Sequence, residues 1–162
     1  LKIRVIKSPM AINLLKMFGA SPTPISWGEL YTALQQGTVD GAENNPPSFV
    51  SARHYEVCKY FSLDKHTSPM DVVLAGKKAW DKLSEGDKAI IIETFDISVE
   101  YQKQLWDQVV EENFAFLDSV GVEVIIPDYT PFVEAVQPMY KEYEKDEVIG
   151  HILEKIKAIK PE

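Results

Sequence analysis

One cysteine, Cys58, stands in the 162 residues, which excludes an intrachain disulfide and any CxxC or cysteine-clustered metal motif. Set in Y-E-V-C-K-Y beside Tyr55, Val57 and Tyr60, it reads as a small buried hydrophobe. Basic residues are also scarce. Seventeen Lys and Arg face 25 Asp and Glu, a net charge of -8, which argues against a nucleic-acid partner. It leaves an anionic small molecule open, because one buried arginine holds a carboxylate at short range while distant surface charge is screened. No run approaches 18 apolar residues, so no segment reads as a membrane span. His54, His66 and His151 lack metal-like spacing, and no P-loop, G-x-G-x-x-G or Ser/His/Asp order occurs. The expectation is therefore a non-enzyme with no cofactor and no metal. Leu1 is not a methionine, and Leu1-Lys2-Ile3-Arg4-Val5 reads directly as a strand. A fragment or a processed product is expected on that ground.

What is present is the composition of a soluble globular domain, 45% hydrophobic and 26% charged, with enough residues to bury a core. Ile3–Ile6 reads as a strand. Ser8-Pro9 opens a helix that Gly19 stops. Residues 20–25 are extended and stiffened by two prolines. Ser26, with Glu29 three residues on, predicts a capping box for a helix ending at Gly37. The order strand, helix, strand, helix, strand is that of an α/β layer. Pro46–Tyr60 reads as helical, Phe61–Leu63 and Val72–Leu74 as strands, and Asp64–Pro69 as a bend between them. Lys77–Leu83 predicts a short helix. From a box of Ser84 and Asp87, a near-helical apolar period then runs to Gly121. At 1.5 Å per residue such a helix measures about 50 Å, too long for one compact domain of this size. Val122–Ile126 reads as a strand, Thr130 starts another helix, and an amphipathic tail runs from Val148 to Ile159 and ends at Pro161.

The segment W-G-E-L-Y-T-A-L-Q-Q-G-T-V-D-G-A-E-N-N-P-P-S-F from Trp27 to Phe49 carries the functional signal. It delivers Glu43, Asn44 and Asn45 to one spot before Pro46-Pro47. Asn44 and Asn45 each donate and accept, which suits hydroxyls and carboxylates together; turn chemistry before the proline pair is the alternative. Arg4, within an apolar strand, needs a partner: a nearby Asp or Glu, or a ligand carboxylate matched to its planar guanidinium. Trp27 is either core packing or a flat wall for a sugar ring. Glu43 reads as structural, meeting backbone donors or a basic side chain, and His66 as a structural hydrogen-bonding residue.

K-I-R-V, G-A-S-P-T-P followed by Trp27, G-E-L-Y-T-A-L-Q-Q-G-T-V-D-G-A-E-N and H-Y-E-V-C-K-Y together resemble the solute-binding proteins of TRAP transporters, the DctP type. The resemblance runs over almost the whole chain. It implies an α/β, periplasmic-binding-protein-like (type II-like) two-lobe fold, with this chain supplying mainly the second lobe, a crossover strand and a long bracing helix. It further implies a periplasmic receptor that binds a small organic acid through an arginine–carboxylate salt bridge and docks on membrane permease subunits, without spanning the membrane itself. Arg4 fits the family's carboxylate-binding arginine, Asn44 the asparagine supporting the same carboxylate, and Trp27 an aromatic position of the pocket. Lys7 stands where some relatives place a ligand-contacting asparagine. Asp71 is a further candidate for a sugar hydroxyl. A-E-N-N-P-P-S-F looks more like the sugar-acid binders, of uronates or aldonates, than like the sialic-acid or C4-dicarboxylate members. Family members are about twice this length, which would explain the strand at residue 1. The implied division is 1–70 as second-lobe core, 71–109 as a crossover segment completing the other lobe, and 110–162 as the return to the second lobe. A sensory or interaction module reusing the same lobes is the alternative function.

Overall fold

In a computed structural model, which describes residues 1–159, the first third of the chain is the α/β layer expected. Strand β1 (Lys2–Val5) lies between β2 (Ser21–Pro24) and β3 (Gly41–Ala42), all parallel, in the order β2-β1-β3. Two helices make the parallel returns. α1 (Pro9–Met17) is capped by the Ser8 side chain, and α2 (Trp27–Gln35) follows Ser26. Both are closed by glycines at positive φ, Gly19 at 76° and Gly37 at 66°, a conformation that costs a glycine nothing. The Ser26 box does not form as expected: the Ser26 hydroxyl donates to the Glu29 carboxylate and caps no backbone N–H. Val5, Leu14, Leu15 and Val136 form the core against the sheet.

The second part of the core is built on α3 (Pro46–Ser51) and on β4 (Tyr60–Ser62), which pairs in parallel with β5 (Glu123–Ile125). Phe49, Phe61, Leu117 and Val122 bury themselves there. The helix read over Pro46–Tyr60 is shorter than expected. Arg53 takes a left-handed φ of 57°, which ends α3 and starts a single 3-10 turn at His54–Glu56. That reversal places His54 inside, 2% exposed.

After β4 the chain runs without helix or strand until α4 (Lys77–Trp80). The strand expected at Val72–Leu74 is absent: those side chains are 70–84% exposed and pair with no other strand among the described residues, and a strand without a ladder partner has no stability of its own. The long helix is present as one piece. α5 (Glu85–Ser119, 35 residues) begins at a complete capping box, with Ser84 Oγ accepting from the Asp87 N–H and the Asp87 carboxylate accepting from the Ser84 N–H. Only its C-terminal end enters the core, through Phe114 and fully buried Leu117. No residue from 71 to 109 is buried.

The helix starting at Thr130 divides into α6 (Thr130–Ala135) and α7 (Gln137–Tyr143), because Pro138 cannot donate to the preceding turn and is placed in the first turn of the second piece. α8 (Glu147–Ala158) is the expected amphipathic tail; Pro161 lies outside the described residues. Among the described residues no helix is long and apolar enough to cross a membrane.

Candidate ligand-binding site

Parallel strands end on one side of a sheet, and ligands of open α/β sheets bind just beyond those ends. Here β1 pairs with β3 so that Arg4 faces Ala42. Glu43 and Asn44 therefore leave β3 beside the end of β1, while Ile25 and Trp27 arrive from the end of β2. Sequence distance is erased by register.

Arg4 is 4% exposed. Its Nε donates to the Ile25 carbonyl at 2.9 Å, and its guanidinium carbon lies 5.8 Å from the centre of the Trp27 ring, within the range of a cation–π contact. No carboxylate among the described residues is within 4.0 Å of it. The first alternative for Arg4, an internal salt bridge, is thus not what holds it. Asn44 is bound through its Oδ1, which accepts from the Asn45 N–H at 2.9 Å. Its Nδ2 is buried with no acceptor. A buried amide donor left unmet costs free energy on the scale of a lost hydrogen bond.

Asn45 Oδ1 accepts from the Ser48 N–H at 2.8 Å and caps α3. Trp27 is half exposed, with its ring 5.3 Å from that of His54 in an edge-to-face arrangement. Lys7 is exposed just past the end of β1. Asp71 is exposed on the irregular segment after β4 and is not brought to the Arg4 cluster by any contact.

Two features are not readable from sequence as part of the site. His54 packs between Trp27 and Phe49, and burial, then the Arg4 charge, pushes its imidazole below the usual range. It stays neutral beside the cation. The other is a trio near β3. His66 Nδ1 pairs with Asp64 at 2.6 Å, the structural bond expected of it, and that bond raises its pKa. His66 Nε2 is buried without a partner. Burial raises the Glu43 carboxyl, with the charges of His66 and Arg4 pulling it back; it meets neither a backbone donor nor a cation at bonding distance, contrary to expectation. Lone histidines carry no periodic signal, so only the fold reveals these groupings. Glu43, Asn44, His54, Asp64 and His66 line one concavity of about 730 Å³. The described residues contain no group of His, Cys, Asp and Glu able to hold a metal ion.

The family model for bacterial extracellular solute-binding proteins, family 7 (DctP), matches residues 1–146. The chain belongs to this family. Among DctP relatives it is 38% identical over 146 residues to the sialic acid-binding periplasmic protein SiaP of Vibrio cholerae, covering 90% of this chain and 46% of SiaP. Among solved structures it superposes on a TRAP periplasmic solute-binding protein of Xanthobacter autotrophicus with bound β-D-galacturonate. The TM-score is 0.93 at 36% identity, covering 98% of this chain and 53% of that one. One from Anaerococcus prevotii with bound D-glucuronate gives a TM-score of 0.92 at 39% identity, with coverages of 97% and 51%. The chain thus spans about half the length of the DctP proteins it matches. Their fold is the two-lobed periplasmic-binding-protein architecture, of which this chain forms one lobe in part, and solute-binding proteins of this kind are receptors, not enzymes.

Proposed function

We propose that this chain supplies the carboxylate-holding half of a TRAP-transporter receptor for a sugar acid, a uronate or an aldonate, which the assembled receptor delivers to membrane permease subunits on the periplasmic side. The observation that carries this reading is a buried cation without an anionic partner beside a buried amide donor without an acceptor, both at the strand ends. Arg4 is a buried cation with no anionic partner among the described residues, and Asn44 Nδ2 is a buried amide with no acceptor. A ligand carboxylate received in the fork of Arg4 offsets the burial of that charge, and a second ligand oxygen accepts from Asn44. Trp27, held over the guanidinium, gives a flat face on which a sugar ring lies. The uronates named with the two solved relatives support the ligand class. Asn45 serves in this reading by fixing the backbone that aims Asn44. Lys7 is left as a contact for an outer hydroxyl, and Asp71 belongs to the crossover segment, residues 71–109, that completes the other lobe.

The test is a thermal-shift panel on the full gene product carrying this chain, with galacturonate, glucuronate, aldonates, sialic acid and C4-dicarboxylates. A ligand at about 100 times its Kd adds about 2.7 kcal/mol, so one sugar acid is expected to raise the melting temperature by several degrees. No shift with any organic acid would remove the role given to Arg4.

A further inference from the structure

We propose that His54 is a positioning residue for the ligand: its imidazole, wedged between Trp27 and Phe49, fixes the indole over Arg4 and so sets the wall against which a sugar ring lies. The need for a wedge follows from where Trp27 stands. It opens α2, and the Ser26 hydroxyl before it donates to the Glu29 carboxylate and caps no backbone N–H. The indole itself is half exposed. A large side chain in that position gives up rotamer freedom when a ligand settles on it, and the cost of that ordering is taken from affinity. What holds the ring beforehand therefore decides how well it serves.

His54 is that hold. The left-handed backbone at Arg53 turns the chain out of α3, and the His54 ring then lies 5.3 Å from Trp27 and 6.2 Å from Phe49 between centroids. Both contacts are edge-to-face, an arrangement that aromatic pairs prefer. Phe49 is itself buried, its ring 5.2 Å from that of Phe61, in the cluster that includes Leu117 and Val122. A file of rings thus runs from the second core through His54 to Trp27, and ends on the Arg4 guanidinium 5.8 Å from the indole centre. The charge state of the wedge suits this place. Burial, then the Arg4 charge, keeps the imidazole neutral, so it sets no second cation beside the group that receives the carboxylate. Its influence is specific to ligands with a ring: the Arg4 fork holds any carboxylate, but only a cyclic sugar acid lies on Trp27.

The proposal rests on the sugar-acid reading of the site and fails separately from it. The test is calorimetry with galacturonate and glucuronate on the full gene product. His54→Ala is expected to raise the Kd about 2- to 13-fold, the worth of one aromatic pair, and His54→Phe, which restores a ring, to bind as the parent does. In a Trp27→Ala background the same His54→Ala change is expected to alter the Kd by less than about twofold, because the two residues act through their contact. If His54→Ala does not fold, His54→Leu keeps the core filled but offers the indole no ring, and the same loss is expected of it. An equal loss with and without Trp27, or no loss in any His54 variant, would overturn the positioning role and leave the receptor reading standing. A parent that binds open-chain acids but no uronate would overturn it too, since no ring then lies on Trp27. A parent that binds no organic acid removes the receptor reading and this role with it.

Discussion

Arg4 and Asn44 fulfil different halves of the same requirement, and single substitutions separate them. Arg4→Ala is expected to weaken sugar-acid binding by about 2–5 kcal/mol, roughly 30- to 4,000-fold in Kd by calorimetry. Arg4→Lys keeps the charge but loses the bidentate fork, so an affinity equal to the parent's would refute bidentate recognition at this position. Asn44→Leu removes the orphan donor without adding one. It is expected to reduce affinity with little net change in stability, because the unmet buried amide disappears while the Asn45 N–H loses its Oδ1 acceptor. Protonation supplies a further handle. The His66 pKa is raised, first by its bond to Asp64, so the folded state holds more protons than the unfolded one. The resulting stability is complete below the unfolded value of about 6.5 and is lost as pH rises through the folded value. Glu43, raised by burial, acts with the same sign at lower pH, and His54, lowered by burial, acts oppositely. His66→Gln is thus expected to make the change in urea midpoint between pH 6 and pH 8 less negative. An identical slope in the variant would show that the pair with Asp64 contributes nothing to folding.

Elements are legible where their signals are local. The Ser84–Asp87 box and the apolar period behind it predict α5 to within a residue or two, because caps and helical stripes are written in neighbouring positions. Gly19 and Gly37 likewise end their helices where expected. Val72–Leu74 reads as a strand because its residues are β-branched and apolar, but a ladder needs a partner that no local pattern guarantees. The break at Arg53 is hidden for a different reason: a left-handed arginine is uncommon, and what selects it is the burial of His54 against Trp27 and Phe49, a tertiary contact. At the site, Arg4, Asn44 and Trp27 are marked by residue type and resemblance. The cap that Asn45 forms falls within the turn chemistry expected before the proline pair, whereas the Asp64–His66–Glu43 grouping depends on register that no motif states. The cap gives its own test. Asn45→Ala is expected to lower stability by about 1 kcal/mol in urea unfolding, with sugar-acid affinity reduced only through the altered aim of Asn44. A loss as large as that of Arg4→Ala would make Asn45 a direct contact.

For the whole molecule, the distribution of apolar surface decides the behaviour. Ile90, Ile92, Ile97 and Tyr101 are 53–66% exposed along α5, and Met70, Val72, Val73 and Leu74 are 70–87% exposed opposite no partner. A concavity of about 400 Å³ between Val73, Trp80, Ile91 and Phe95 belongs to this uncovered region. Patches of this extent mark interaction surfaces. The 162-residue chain in isolation is expected to bind a hydrophobic dye and to melt broadly by circular dichroism. A sharp, high-temperature transition without dye binding would show that residues 71–109 are stable uncovered. Among the described residues, α5 enters the core at its C-terminal end, by Phe114 and Leu117 against α3 and β5. Its projecting part, from Glu85 to about residue 110, is a rigid arm of about 38 Å at 1.5 Å per residue. A lever of that length turned by about 10° at its root carries its tip some 7 Å, by the same helical rise, so an ångström-scale repacking around Leu117 becomes a displacement that a pair of spin labels reads directly.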